Sequence, residues 1–277
     1  MPETAVKIDA LNVSLDHSPS EQLGDDDAWH TSTAVLSKGN EHWEFSKMLA
    51  TRLGMRDRRL RKWSGGRGNQ SYRRKFEEEF FPLVADSQLH VRAVSADART
   101  IRAMRSAFLD ELEMRALVRE SADRANYLTF GPFTRINDKF EQVDVRYDIH
   151  ARRADYLVFL CWWLVGVHRG TMKLEKQYNP ALECLDWFMV PNKFAGGVNG
   201  DMAIIFRAIM ATTAARGLIA GNVRISTIND SKQDEGSALA DNLAGYLNHR
   251  LVAGDGGPPQ PALAGAGSSF LWSVHES

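Results

Sequence analysis

The run Tyr156–Val167, Y-L-V-F-L-C-W-W-L-V-G-V, constrains this chain more than any other stretch. It is apolar on every side of a helix, so it belongs inside a packed structure. About 20 apolar residues are needed to cross a bilayer, and this run is too short. It therefore predicts a buried helix over 151–168. The rest of the chain can supply such an interior: of 277 residues, 44% are hydrophobic and 25% charged, an ordinary globular balance. Cys161 and Cys184 both lie in apolar runs. That favours buried, reduced thiols over a disulfide framework or a zinc site. The first residues show no basic flank followed by an apolar core. The expectation is a soluble, cytoplasmic protein without membrane contact.

Two periodicities order the remainder. Strand-type alternation marks 10–16, with Leu11, Val13 and Leu15 on one face. Residues 28–36 are rich in β-branched side chains, and 88–97 read as a third strand. Further strands are expected at 181–189, after Pro180, and at 222–229. Helices are expected at 41–53, 73–84, 99–126 (one helix or a pair), 202–216 and 237–251. Strands come first, then helices and strands in turn, which mixes hairpin pairing with crossover connections. The Gly/Pro-rich segment from 253 reads as a flexible tail ending in F-L-W-S-V-H-E-S.

Strand interiors are poor in aspartate, yet Asp16, Asp97, Asp186 and Asp230 each fall in or at the end of an expected strand. Turn and cap chemistry accounts for Asp97, in A-D-A-R-T, as a helix N-cap. Asp241 is different. Leu239, Leu243 and Leu247 form one helix stripe, and Asp241 lies about 200° from Leu239. Its own side carries Ala238, Ala244, Gly245 and Asn248, small enough for another element to approach closely. A mid-helix carboxylate there is either a solvated charge or a ligand. Carboxylates brought together repel one another and resist desolvation, and a divalent cation offsets both effects. Oxygen ligands suit Mg²⁺ or Mn²⁺. Asp16, Asp186 and Asp241 are the candidate metal ligands, with Asp230 beside them.

From Met55 to Lys75 there are nine Arg/Lys and one Asp, with Trp63 and Tyr72 interleaved. Such a stretch is either a solvated charged surface or a nucleic-acid interface. In the second case Arg58, Arg59, Arg61, Lys62, Arg67, Arg73 and Arg74 contact phosphates, and the aromatics stack on bases. His17 is a turn residue, a metal ligand or a general base. His168 is expected to cap a helix C-terminus.

The closing signature N-D-S-K-Q-D-E-G-S-A-L-A-D, with Asp230, Ser231, Lys232, Leu239, Ala240 and Asp241, resembles that of a large uncharacterised bacterial family of RNase-H-like proteins assigned as nucleases. E-C-L-D-W-F-M places Asp186 at the acid of the family's middle strand, and S-L-D-H-S-P places Asp16 and Ser18 at its first acid and serine. His17 stands where that family has Glu and Pro19 where it has Gly, and R-L-R-K-W-S lacks the acid of the related segment. Glu183, Glu235 and Asp25 to Asp27 are the acids that would replace the missing one. The resemblance implies an α/β fold with an RNase-H-like mixed five-stranded sheet, helices on both faces and a helical insertion at about 99–175. It implies one domain over 1–252, the basic segment 55–75 within it, and a tail over 253–277. The carboxylates would gather where the first and middle strands lie side by side, under the last helix. The activity implied is metal-dependent hydrolysis of DNA or RNA phosphodiesters, with Lys232 neutralising the scissile phosphate. The alternative is a catalytically weakened subunit that docks onto a larger protein machine, such as an ATPase-containing anti-phage or mobile-element complex.

Overall fold

The computed structural model describes residues 7–18, 25, 27–60, 63, 70–108, 143–191, 206, 210, 213, 216–225 and 235–252. The elements are β1 (Lys7–Ser18), β2 (Trp29–Ser37), α1 (Glu41–Arg52), α2 (Gln70–Ala85), β3 (His90–Asp97), α3 (Ala98–Phe108), α4 (Val143–Tyr178), β4 (Leu182–Pro191), β5 (Val223–Ile225) and α5 (Glu235–Val252). The protein is mixed α/β. Four long strands and the three-residue β5 form one sheet in the order β3-β2-β1-β4-β5. The β1–β2 and β2–β3 pairs are antiparallel, whereas β1–β4 and β4–β5 are parallel. β1 and β2 follow one another as a hairpin, β3 returns antiparallel to β2 after α1 and α2, and the crossover through α4 makes the parallel pair.

β1 is central, so both its faces are covered. Leu11, Val13 and Leu15 pack with Ala34, Leu36, Val94 and the apolar run of α4, all of it buried except the half-buried Trp162 and the exposed Gly166. On the other face Val35, Val91 and Ala93 pack with Leu239, Leu243 and Leu247 of α5 and with α1 and α2. The 12-residue apolar run occupies the middle of a 36-residue helix. No described helix is long and apolar enough to cross a membrane. α4 outruns the expected boundary at 168 because its last turns are amphipathic, with Thr171 and Glu175 buried and Lys173 and Lys176 exposed. The expected insertion therefore contains α3 and α4, and 109–142 lie outside the described residues. Of the helix expected at 202–216, Phe206, Met210 and Thr213 are helical and buried. β5 is described over 223–225 only, and the C-terminal tail lies outside the described residues.

Asp97 does what its sequence context implies: the Thr100 N–H donates to its Oδ1 at 2.7 Å, across the first turn of α3. His168 does not. It lies within α4 rather than at its end, is 1% exposed, and bonds through Nε2 to the Leu185 carbonyl of β4 at 2.9 Å. Burial lowers its pKa, and the Leu185 bond opposes that effect. Cys161 is buried and Cys184 half-buried, and both are free thiols.

Candidate carboxylate site under the last helix

α5 is covered on nearly all sides. Glu235 to Leu247 are buried throughout except Asp241, which is half-buried. A solvated helix face is thus excluded for Asp241. The small residues beside it admit Trp63, as their size predicts. A Cβ at Gly245 would collide with the Trp63 ring, so only glycine allows this approach. Asp241 Oδ2 accepts the Trp63 backbone N–H at 2.9 Å. One turn role of this carboxylate is therefore visible: it anchors the main chain of the basic segment to α5.

Asp16 is 5% exposed. Alternation places it on the α5 face of β1, opposite to Leu15. Its cross-strand partner is Thr33, so the two side chains lie on the same face with Cβ atoms about 5 Å apart. Thr33 Oγ1 donates to the Ala240 carbonyl at 2.8 Å. Thr33 thus joins the strand face that carries Asp16 to the residue before Asp241, where β1 and β2 pack under α5. Asp16 Oδ1 also accepts the His17 N–H at 2.7 Å. Ser14, buried on the same face, adds a hydroxyl to this polar strip.

Asp186 does not join them. In the parallel register it pairs with Ala10, six residues before Asp16. At about 3.3 Å per residue that is roughly 20 Å along the strand, beyond any shared ion. Its carboxylate is occupied by Asn222, whose backbone N–H donates to Oδ1 at 2.8 Å and whose Nδ2 donates at 3.2 Å. The three-carboxylate cluster expected from the sequence is corrected on this point: Asp186 holds the entrance to β5. The last paired position on β4 is Pro191, opposite Leu15, so the partner of Asp16 from that strand falls outside the described residues. Asp230 and Lys232 lie outside them as well. No group of three or more His, Cys, Asp or Glu able to hold a metal occurs among the described residues.

Of the acids considered as replacements, Glu183, Asp25 and Asp27 are exposed. Glu235 is 8% exposed at the first turn of α5. Ser46 Oγ donates to its Oε2 at 3.1 Å, and Arg59 Nε stands 3.9 Å from Oε1. Its sequence signal was weak because an acid in the first turn of a helix is common.

The basic segment also divides. Arg61, Lys62 and Arg67 lie outside the described residues. Arg58 is exposed, with a left-handed φ of 52°. Arg59 faces Glu235, Arg74 pairs with Glu78 at 3.5 Å, and Arg73 contacts His249. Arg73 and Arg74 line a groove of about 770 Å³ with Tyr246, His249 and Arg250. The expected base-stacking aromatics are a correction. Trp63 is 7% exposed and packs in a cluster with Tyr72, Phe76 and Tyr246, and the Tyr72 hydroxyl donates to Asn242 Oδ1 at 2.8 Å. They fasten the basic segment to the core.

His17 sits on the opposite face of β1 from Asp16. Its ring is 5.3 Å from that of Tyr156, whose hydroxyl bonds Ser32 at 2.8 Å. His17 is half-buried overall, but desolvation of its ring among the packed side chains, with the neighbouring His30 as a second cause, pushes its pKa down to about 4. His17 is thus a neutral packing residue turned away from the carboxylates. No family model, no curated protein and no solved structure matches the chain.

Proposed function

We infer that the chain is an RNase-H-like, divalent-metal-dependent phosphodiesterase acting on DNA or RNA. The observation that carries this reading is the Thr33 bond to the Ala240 carbonyl, which links the strand face of Asp16 to the residue before Asp241, beside the parallel β1–β4 pair. A family-like layout supports it: a mixed sheet of five strands with the first and middle strands adjacent, and helices on both faces. Asp16 is buried in the central strand, where an ionised carboxylate depends on polar partners, of which the His17 N–H is one.

The donor set fits a hard cation. Mg²⁺ commonly uses one or two carboxylates, several waters and substrate phosphate oxygens, so Asp16 and Asp241 suffice as protein ligands. Asp230 and Lys232, a few residues before α5, complete the proposed site. When bound, Mg²⁺ or Mn²⁺ would activate water and steady the leaving oxygen. Asp16, fixed by its strand, and Asp241, fixed by Trp63, would orient the ion with little reorganisation. Arg58, Arg59, Arg73 and Arg74, with Arg61, Lys62 and Arg67, would hold the phosphate backbone.

One observation favours a second reading, a non-catalytic RNase-H-like subunit that docks onto a protein partner. Asp241 and Asp186 both have structural partners, at Trp63 and Asn222. Incubation with single- and double-stranded DNA and RNA, with Mg²⁺ or Mn²⁺, separates the two. The enzyme reading expects cleavage that requires metal and is lost in Asp16→Asn and Asp241→Asn. Absence of cleavage on all four substrates would leave the subunit reading.

A further inference from the structure

On the sheet face opposite α5, the C-terminal half of α4 and the 217–220 loop enclose a groove of about 350 Å³. Its walls include Arg169, Lys173, Lys176, Met172 and Leu218. The three cations fall at i, i+4 and i+7, so they form one line along the helix. All three are exposed. None of them is within ion-pair distance of a described carboxylate, unlike Arg52, Arg59, Arg74 and Arg250, which face Glu79, Glu235, Glu78 and Glu77. The acid on the same turn of α4, Glu175, points away and is taken by Lys38 at 2.6 Å and His90 at 2.9 Å. Asp186, across the strand from His168, is bonded by Asn222.

A charged helix face is often only solvated, but two features set this one apart. Arg169 Nε donates to the Leu218 carbonyl at 3.2 Å, which fixes the guanidinium stem against the groove wall. Met172 and Leu218 give the line of charges an apolar floor. Cations without an ion pair among the described residues, spaced about 4.5–6 Å along a helix above an apolar strip, suit the phosphate line of a single nucleic-acid strand. We propose that this groove is an anchoring site for single-stranded nucleic acid, separate from the carboxylate corner. The choice of nucleic acid over another polyanion rests on the function proposed above. The groove adjoins the start of β4, where the Leu185 N–H donates to the Ala220 carbonyl, whereas Asp16 lies near the end of the parallel β1. A strand held here is therefore gripped at a distance from the site of cleavage.

The test is fluorescence anisotropy of the full chain with a labelled 20-nucleotide single strand, without divalent metal, across a salt series. The double variant Lys173→Glu/Lys176→Glu is compared with Lys173→Arg/Lys176→Arg and with the charge-matched Arg52→Glu/Arg99→Glu. Circular dichroism checks that each is folded, which the exposure of these side chains favours. The expected result is roughly tenfold weaker binding in the first variant alone, with a salt dependence shallower by about 1.4 logarithmic units per decade, the loss of two phosphate contacts. Equal loss in the charge-matched control, or no loss in the first variant, overturns the proposal. So does a wild-type chain that binds heparin or anionic vesicles through these lysines but not the oligonucleotide. The readout needs no metal and no turnover, so failure of this anchoring site is told apart from failure of the phosphodiesterase reading.

Discussion

Gly245→Ala is the sharpest probe of how α5 is seated. In an open helix interior this change stabilises by about 0.5–1 kcal/mol, because alanine loses less backbone entropy on folding. At Gly245 the added Cβ would overlap the Trp63 ring and its own Cβ, and Trp63 is 7% exposed with three further aromatic neighbours. Relief requires moving a packed indole, at about 1–3 kcal/mol, and loosens the Trp63 N–H bond to Asp241. The steric cost exceeds the propensity gain, leaving a net loss of about 1–2 kcal/mol. For a chain of this size that is a fall in Tm of about 2–8 °C. Gly166→Ala supplies the opposite sign within the same molecule. It also lies in a helix interior, but its Cβ would meet nothing within 4 Å, so Tm should rise by about 1–4 °C. Thermal unfolding followed by circular dichroism measures both. If Gly245→Ala raised Tm as Gly166→Ala does, Trp63 would not rest on α5 and the anchoring of the basic segment would be refuted.

Three further outcomes are expected. His17 is neutral in the fold down to about pH 4, whereas in the unfolded chain it titrates near 6.5. The unfolded state then binds the extra proton, so its contribution to stability is full above pH 6.5 and is lost as pH falls toward 4. Urea unfolding at pH 7 and 4.5 should show His17→Gln losing less stability on acidification than wild type, and an identical loss would contradict the burial argument. Asp97→Ala, which removes the acceptor of the Thr100 N–H, should cost about 1 kcal/mol in the same assay. Asp186→Ala should cost about 0.5–1.5 kcal/mol through the lost Asn222 bonds while leaving metal-dependent cleavage intact. Abolished cleavage in a folded Asp186→Ala protein would restore Asp186 to the active site.

Local pattern made much of the fold legible. Leu11, Val13 and Leu15 announced β1, the leucine stripe announced α5, and the small residues around Asp241 announced that something would pack there. The identity of that partner, Trp63, was hidden, because a tryptophan among arginines reads equally well as a stacking surface. The register of β1 against β4 was hidden too. Parallel pairing joins residues some 175 positions apart, and nothing local to E-C-L-D-W-F-M says whether Asp186 stands level with Asp16 or with Ala10. A shift of six residues separates a ligand from a loop anchor. His168 was misplaced for a similar reason. The last turns of α4 keep their buried side on the sheet through Thr171 and Glu175, polar residues that hydropathy does not recognise as interior.

Titration of Mn²⁺ into the metal-free protein, followed by the loss of its free-ion electron paramagnetic resonance signal, bears most directly on the pairing of Asp16 with Asp241. Wild type should sequester Mn²⁺, and each of Asp16→Asn and Asp241→Asn should weaken that uptake at least tenfold while remaining folded. Uptake that is absent from wild type, or unchanged in both variants, would contradict the account.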